Sequence, residues 1–147
     1  RAMGTEHASA LADRVEIAEL LTTYAWSMTD KDWDRWQSVF SPDAKVDYTT
    51  AGGIAGTPAD AAAWMGQTMP MFDVVLSQGS NLTISFSDAD HATGRSLYVM
   101  TMRIPAADGG QPTYMQASGW YHDQYVRTSD GWRIADRYEH LAYVKGA

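Results

Sequence analysis

Tyr24 and Tyr48 bracket the stretch YAWSMTDKDWDRWQSVFSPDAKVDY, whose middle carries Asp30, Lys31 and Asp32. The order reads as the end of an amphipathic helix, a polar break, a second helix, a Ser-Pro-Asp turn and a strand. Folded on one another, helix and strand bring two phenols and an acidic loop to one apolar space. Such a set can donate hydrogen bonds and move a proton. A buried tyrosine donates without ionising, and histidine suits the base because its ordinary pKa lies near neutrality.

The chain has four histidines. His7, in the ragged start, and His91, in a polar turn, read as solvent-facing. On the terminal strand Trp132, Ile134, Asp136, Tyr138 and His140 share one parity. With Trp132 and Ile134 turned to the core, His140 reaches the cavity and is the candidate base, unless a bulge intervenes. His122 alternates against Tyr121 and Asp123 and is a candidate binding residue that instead faces a subunit interface if Tyr121 points inward. Asp30 is the candidate orienting acid; its competing role is to cap the second helix, for which Asp32 is better placed.

Other chemistries find little support. Without cysteine there is no thiol nucleophile, thiolate metal site or disulfide. No histidine or carboxylate spacing suits a metal, no G-x-S-x-G elbow is present, and Gly52-Gly53-Ile54-Ala55-Gly56 lacks the lysine of a phosphate loop. The methionines at 65, 69, 71, 100, 102 and 115 read first as core filling; Met100, Met102 and Met115 also suit an adaptable pocket wall.

The elements that must position these residues follow from periodicity. Residues 8–28 repeat apolar side chains at helical spacing, through Leu11, Val15, Leu20, Tyr24 and Met28. Trp33 to Phe40 suggests a short second helix ended by Pro42, and Ala44–Thr50 a strand with Val46 and Tyr48 on one face. Thr57-Pro58-Ala59-Asp60 is a helix start, with Thr57 as cap and Pro58 in the first turn. Strands follow at 81–87, 91–103, 113–128 and 132–144, with a turn at Ser129-Asp130-Gly131. Helices first and a meander of long strands afterwards predict an α+β fold.

The length of 147 residues fits one domain, with residues 1–7 as a disordered start or cloning remnant and 8–147 as the domain. A net charge of −7 with no basic run argues against nucleic-acid and anionic-membrane partners. No apolar run reaches membrane-spanning length and no intact signal peptide is visible, so the expected location is cytoplasmic.

Taken together, Tyr24 with the following Asp32-Trp33-Asp34, F-x-PDA-x-x-DY at 40–48, ATGR at 92–95, G-x-Y-x-D at 119–123 and DGWRI at 130–134 resemble the SnoaL-like branch of the NTF2-like superfamily. The similarity covers residues 12–144 and is nearest to the scytalone dehydratase and bile acid 7α-dehydratase families. It implies a cone in which N-terminal helices pack on a curved antiparallel sheet around an apolar pocket, and a homodimer or homotrimer. It also implies a cofactor-independent lyase or isomerase (dehydratase, isomerase or cyclase) that acts through an enol or enolate on a hydrophobic, polycyclic or polyketide-like molecule.

Tyr24 and Tyr48 match the pocket tyrosines of those families, and Tyr98 and Tyr121 fall on cavity-wall strand positions. The families' catalytic histidine falls on Ser77 or Gln78, where Gln78 is left as a hydrogen-bond donor. A second polar pocket position falls on Met100 or Met102, and a late arginine aligns with His140. The absent His-Asp pair keeps open an alternative, a non-catalytic protein that binds a hydrophobic ligand or serves as an assembly subunit. An epoxide hydrolase using an Asp-Arg-Asp set is a third option, with Arg95, Arg103 and Arg137 as its arginines.

Overall fold

The computed structural model describes residues 2–146, with side chains from residue 9 onward; the side chain of His7 therefore lies outside the described residues, while the backbone of 2–7 forms the first turns of a helix. Helix α1 (Ala2–Asp30) turns Ile17, Leu20, Tyr24, Ser27 and Met28 inward at spacings of three and four, which puts them on one face. Helix α2 (Trp33–Gln37) begins where the Asp32 carboxylate accepts from the Arg35 N–H at 3.1 Å, so Asp32 is the cap. It stops before Ser38, earlier than the sequence suggests. Val39 and Phe40 already pair with the last strand, through the Ile134 N–H to the Val39 carbonyl at 2.9 Å.

Strand β1 (Phe40–Asp47) leads through a 3-10 turn at Thr49–Ala51 to the short β2 (Ala55–Gly56). Pro42 lies inside β1, where the register with the last strand is irregular and no ladder donor is needed. Helix α3 (Pro58–Thr68) starts as expected, with a reciprocal Thr57–Asp60 capping box. Four long strands complete the chain: β3 (Val74–Phe86), β4 (His91–Ile104), β5 (Thr113–Thr128) and β6 (Gly131–Gly146). The polar run Gln78–Asn81 disguises the first half of β3, which nevertheless pairs with β4 up to an irregularity after Ser80, where Asn81 takes φ 56°.

The single sheet has the order β2-β1-β6-β5-β4-β3. It is mixed rather than wholly antiparallel, because β1 runs parallel to β6. The chain between them supplies the long crossover that a parallel pair requires. Two single-residue bulges in β6 bend the sheet: Ala135 is unpaired between Ile134 and Asp136, and Ala142 between Leu141 and Tyr143. Gly119 faces the second bulge, where any Cβ would fall 2.0 Å from the His140 carbonyl oxygen. Helix α1 lies across the concave face, tied to β5 and β6 by Arg127 on Asp13 and by the Trp132 N–H on Glu16. No helix among the described residues is long and apolar enough to cross a membrane.

Candidate active site

The concave sheet face, α1 and α3 enclose a cavity of about 310 Å3. Met28 and six further methionines, at 65, 69, 71, 100, 102 and 115, line it, so seven of the chain's eight methionines meet in one wall. Thioethers on unbranched chains make such a wall adaptable in shape. Apart from Thr68, whose hydroxyl bonds to the Trp64 carbonyl, the polar side chains are few and gathered: Tyr24, Tyr48, Tyr98, Tyr121 and Glu139.

Tyr24, from α1, and Tyr48, from the end of β1, meet hydroxyl to hydroxyl at 2.9 Å. Tyr121 packs edge-on against Tyr24 and stacks on Tyr98, with centroids at 5.7 and 4.7 Å. Burial pushes the Tyr48 and Tyr121 hydroxyls well above the ordinary phenol range, and the neighbouring Tyr24 adds to it, so both stay protonated and able to donate. The Tyr98 hydroxyl is buried, and burial together with the neighbouring Glu139 carboxylate holds its proton more firmly than usual.

Glu139 is the ionisable group in this wall. Its side chain is almost fully buried, and burial pushes its carboxyl up to about 7 against the opposing pull of Tyr98 and Arg137. A carboxyl in that range exchanges protons at neutral pH, as a general base must. Thr50 fixes the strand on either side of it. Its hydroxyl donates to the Glu139 carbonyl at 2.6 Å and accepts from the Leu141 N–H at 3.0 Å, tying the turn after Tyr48 to the strand that carries Glu139.

Behind the phenols lies a buried ion pair. Arg137 grips Asp123 with two bonds of 2.8 and 2.7 Å, and Tyr125 donates to the same carboxylate at 2.7 Å. The guanidinium also covers the rings of Tyr24 and Tyr121, 4.3 and 4.0 Å from their centroids. It therefore holds both rings in place and biases them electrostatically toward carrying partial negative charge. Arg103 pairs with Asp73 at the surface and Arg95 lies over Trp120, so no Asp-Arg-Asp set opens on the cavity among the described residues.

Of the residues singled out from sequence, Tyr24, Tyr48, Tyr98, Met100 and Tyr121 line the cavity. Four do not. His140 faces the opposite side of the sheet and stacks on Trp120 with centroids 4.1 Å apart. The Ala135 bulge reverses the strand's parity, so that Trp132 and Ile134 are followed inward by Arg137, Glu139 and Leu141. His122 is exposed on that outer face and accepts from the Trp120 indole at 3.1 Å. Asp30 is exposed because two residues beyond the cavity-lining Met28 carry the helix about 200° round its axis. Gln78 is exposed and pairs with Val99, out of phase with Tyr98 and Met100. Glu139 escapes the reading from sequence because a regular strand turns it outward. The available signal is that apolar residues sit at even positions 132 and 134 but at odd position 141.

A family model described as a SnoaL-like domain matches residues 9–138. The uncharacterized protein Rv2910c of Mycobacterium tuberculosis (strain ATCC 25618 / H37Rv) is 34% identical over 135 residues, covering 92% of this chain and 89% of that one. Among solved structures, Kfla4162 from Kribbella flavida superposes with a TM-score of 0.80 at 24% identity, over 92% of this chain and 95% of that one. A hexachlorocyclohexane dehydrochlorinase (LinA) Type2 gives 0.77 at 20% identity, over 96% and 93%. At these identities the structural likeness establishes the fold.

Proposed function

The chain belongs to the SnoaL-like family, and from its cavity we propose a cofactor-independent lyase or isomerase that enolises a neutral, hydrophobic carbonyl compound. One observation carries the reading: a buried carboxyl titrating near 7 shares an apolar cavity with a hydrogen-bonded pair of phenols. Glu139 takes the proton α to the carbonyl, and the Tyr24–Tyr48 pair donates to the oxygen as charge develops on it. Low polarity in the cavity strengthens both interactions, since little water competes. Protonated Glu139 is then neutral and holds the proton for return, either to a remote carbon in an isomerisation or toward a leaving group in an elimination. The solved neighbour named as a dehydrochlorinase supports the second. No free cation faces the cavity among the described residues, which favours an uncharged substrate.

The test is solvent exchange. In D2O the wild-type protein should exchange the α-hydrogens of 1-indanone, read by NMR, and Glu139→Gln should abolish the exchange. The methionine-lined wall favours the second reading, a binding protein for hydrophobic ligands. Tight binding of 1-indanone by the wild type without any exchange would select that reading and end the first.

A further inference from the structure

Methionine is distributed unevenly in this molecule. Every methionine whose side chain the structure describes lines the cavity, and none is confined to the core away from it. That core relies instead on branched aliphatics such as Ile17, Leu20, Val39 and Ile134, which in the cavity are represented by Leu141 and Val144 alone. A wall that needed only apolar bulk would lose less side-chain entropy in leucine than in methionine. What methionine adds is sulfur, a soft and polarizable donor.

The fold gathers five of these thioethers at one end of the cavity. Met102 and Met115 are direct cross-strand partners on β4 and β5, and Met100 lies two residues along the same inner face. Met69 and Met71 come from the 3-10 turn that follows α3, and this turn is fixed against the same end of the sheet. The Asp73 N–H donates to the Arg103 carbonyl at 3.0 Å, Arg103 grips the Asp73 carboxylate with bonds of 3.0 and 2.7 Å, and Val75 pairs with Met102. Met69-Pro70-Met71 is thereby brought over Met100-Thr101-Met102.

We propose that this cluster binds a soft, closed-shell monovalent metal ion of the Cu(I) type, held by the thioethers of Met69, Met71, Met100, Met102 and Met115. Thioethers select soft ions and offer little to magnesium or zinc. Such an ion imposes no rigid geometry, and unbranched side chains can bring sulfur to it from several directions. Glu139, in the same cavity, supplies one negative charge when ionised, which balances a monovalent ion and not a divalent one. Met71 is 54% exposed and gives the ion its way in, the first thioether it meets before the buried ones. The site is independent of enolisation, because no proton transfer enters it.

The experiment titrates the protein, isotope-labelled at the methionine methyl groups, with silver nitrate in chloride-free buffer and follows the methyl signals by NMR. Ag(I) is as soft as Cu(I) and keeps its oxidation state. One equivalent should shift the methyl signals of Met69, Met71, Met100, Met102 and Met115 together and raise the melting temperature. Zinc at the same concentration should shift none of them. Met102→Leu and Met115→Leu conserve volume and should fold, and each should weaken silver binding by roughly tenfold or more through loss of a ligand. Cu(I), presented without oxygen in competition with bicinchoninate, should bind in the same ratio. Methyl signals that stay unchanged at millimolar silver overturn the site, and so does a shift confined to Met71, which would mean one exposed thioether acting alone. Wild-type affinity in both leucine variants, or an equal response to zinc, overturns it as well. Failure of the titration leaves Glu139 as the base untouched, and failure of 1-indanone exchange leaves the metal site untouched.

Discussion

Replacing Glu139 by Gln removes a charge that the cavity holds against its preference, so stability and chemistry should respond together. Burial lifts the carboxyl from an ordinary 4.5 to about 7, and the native protein therefore binds this proton more tightly than the unfolded chain does. Stability from this group is fully present below about 4.5 and falls as pH climbs, until the penalty levels off above about 7. The penalty amounts to roughly 1.4 kcal/mol at pH 5.5 and about 3 kcal/mol at pH 8. Glutamine copies the shape of the protonated acid and never ionises, so the variant should exceed wild type by those amounts. Urea unfolding of both proteins at the two pH values measures it, and the comparison cancels every other titrating group. In parallel, the wild-type rate of 1-indanone exchange should rise with pH to a plateau reached just above 7, and the variant should show none. An advantage of equal size at both pH values would refute titration of Glu139 in this window. Wild-type exchange by the variant would refute its role as base.

Tyr48→Phe breaks the phenol pair and should slow exchange about tenfold to a hundredfold with little change in KM, because one donor to the enolate oxygen is lost. Arg137→Met leaves the Asp123 carboxylate buried without its partner and should cost about 3–5 kcal/mol in urea unfolding. His140→Ala should leave the exchange rate unchanged, since its ring stacks on Trp120 on the side of the sheet away from the cavity. A collapse of exchange in that variant would mean that the outer face takes part in the chemistry.

Local signals were sufficient for most elements of the fold. Thr57, Pro58 and Asp60 start α3 as a capping box because each acts on its own backbone neighbours. The spacing of Ile17, Leu20, Tyr24 and Met28 on α1, and the alternation of Val46 and Tyr48, already point those side chains inward. The convergence of Tyr24 and Tyr48 was legible for that reason. Strand β3 was half hidden, since its polar start becomes a strand only by pairing with β4.

The entry of Glu139 into the cavity was not legible. A strand read in isolation alternates without interruption, which turns His140 inward and Glu139 outward. Whether a bulge interrupts it depends on how β6 meets β5, where Ala135 and Ala142 find no partner and Gly119 lets the backbones approach. The approach of Tyr98 to Glu139 and the cover that Arg137 gives two phenol rings likewise arise only when distant strands are brought together. From the sequence came the residues available for chemistry and the elements that carry them, because helical and strand periods are properties of neighbours along the chain. The tertiary structure chose which of those residues share the cavity and raised Glu139 into the neutral range, because register and burial are set by contacts between strands far apart in sequence.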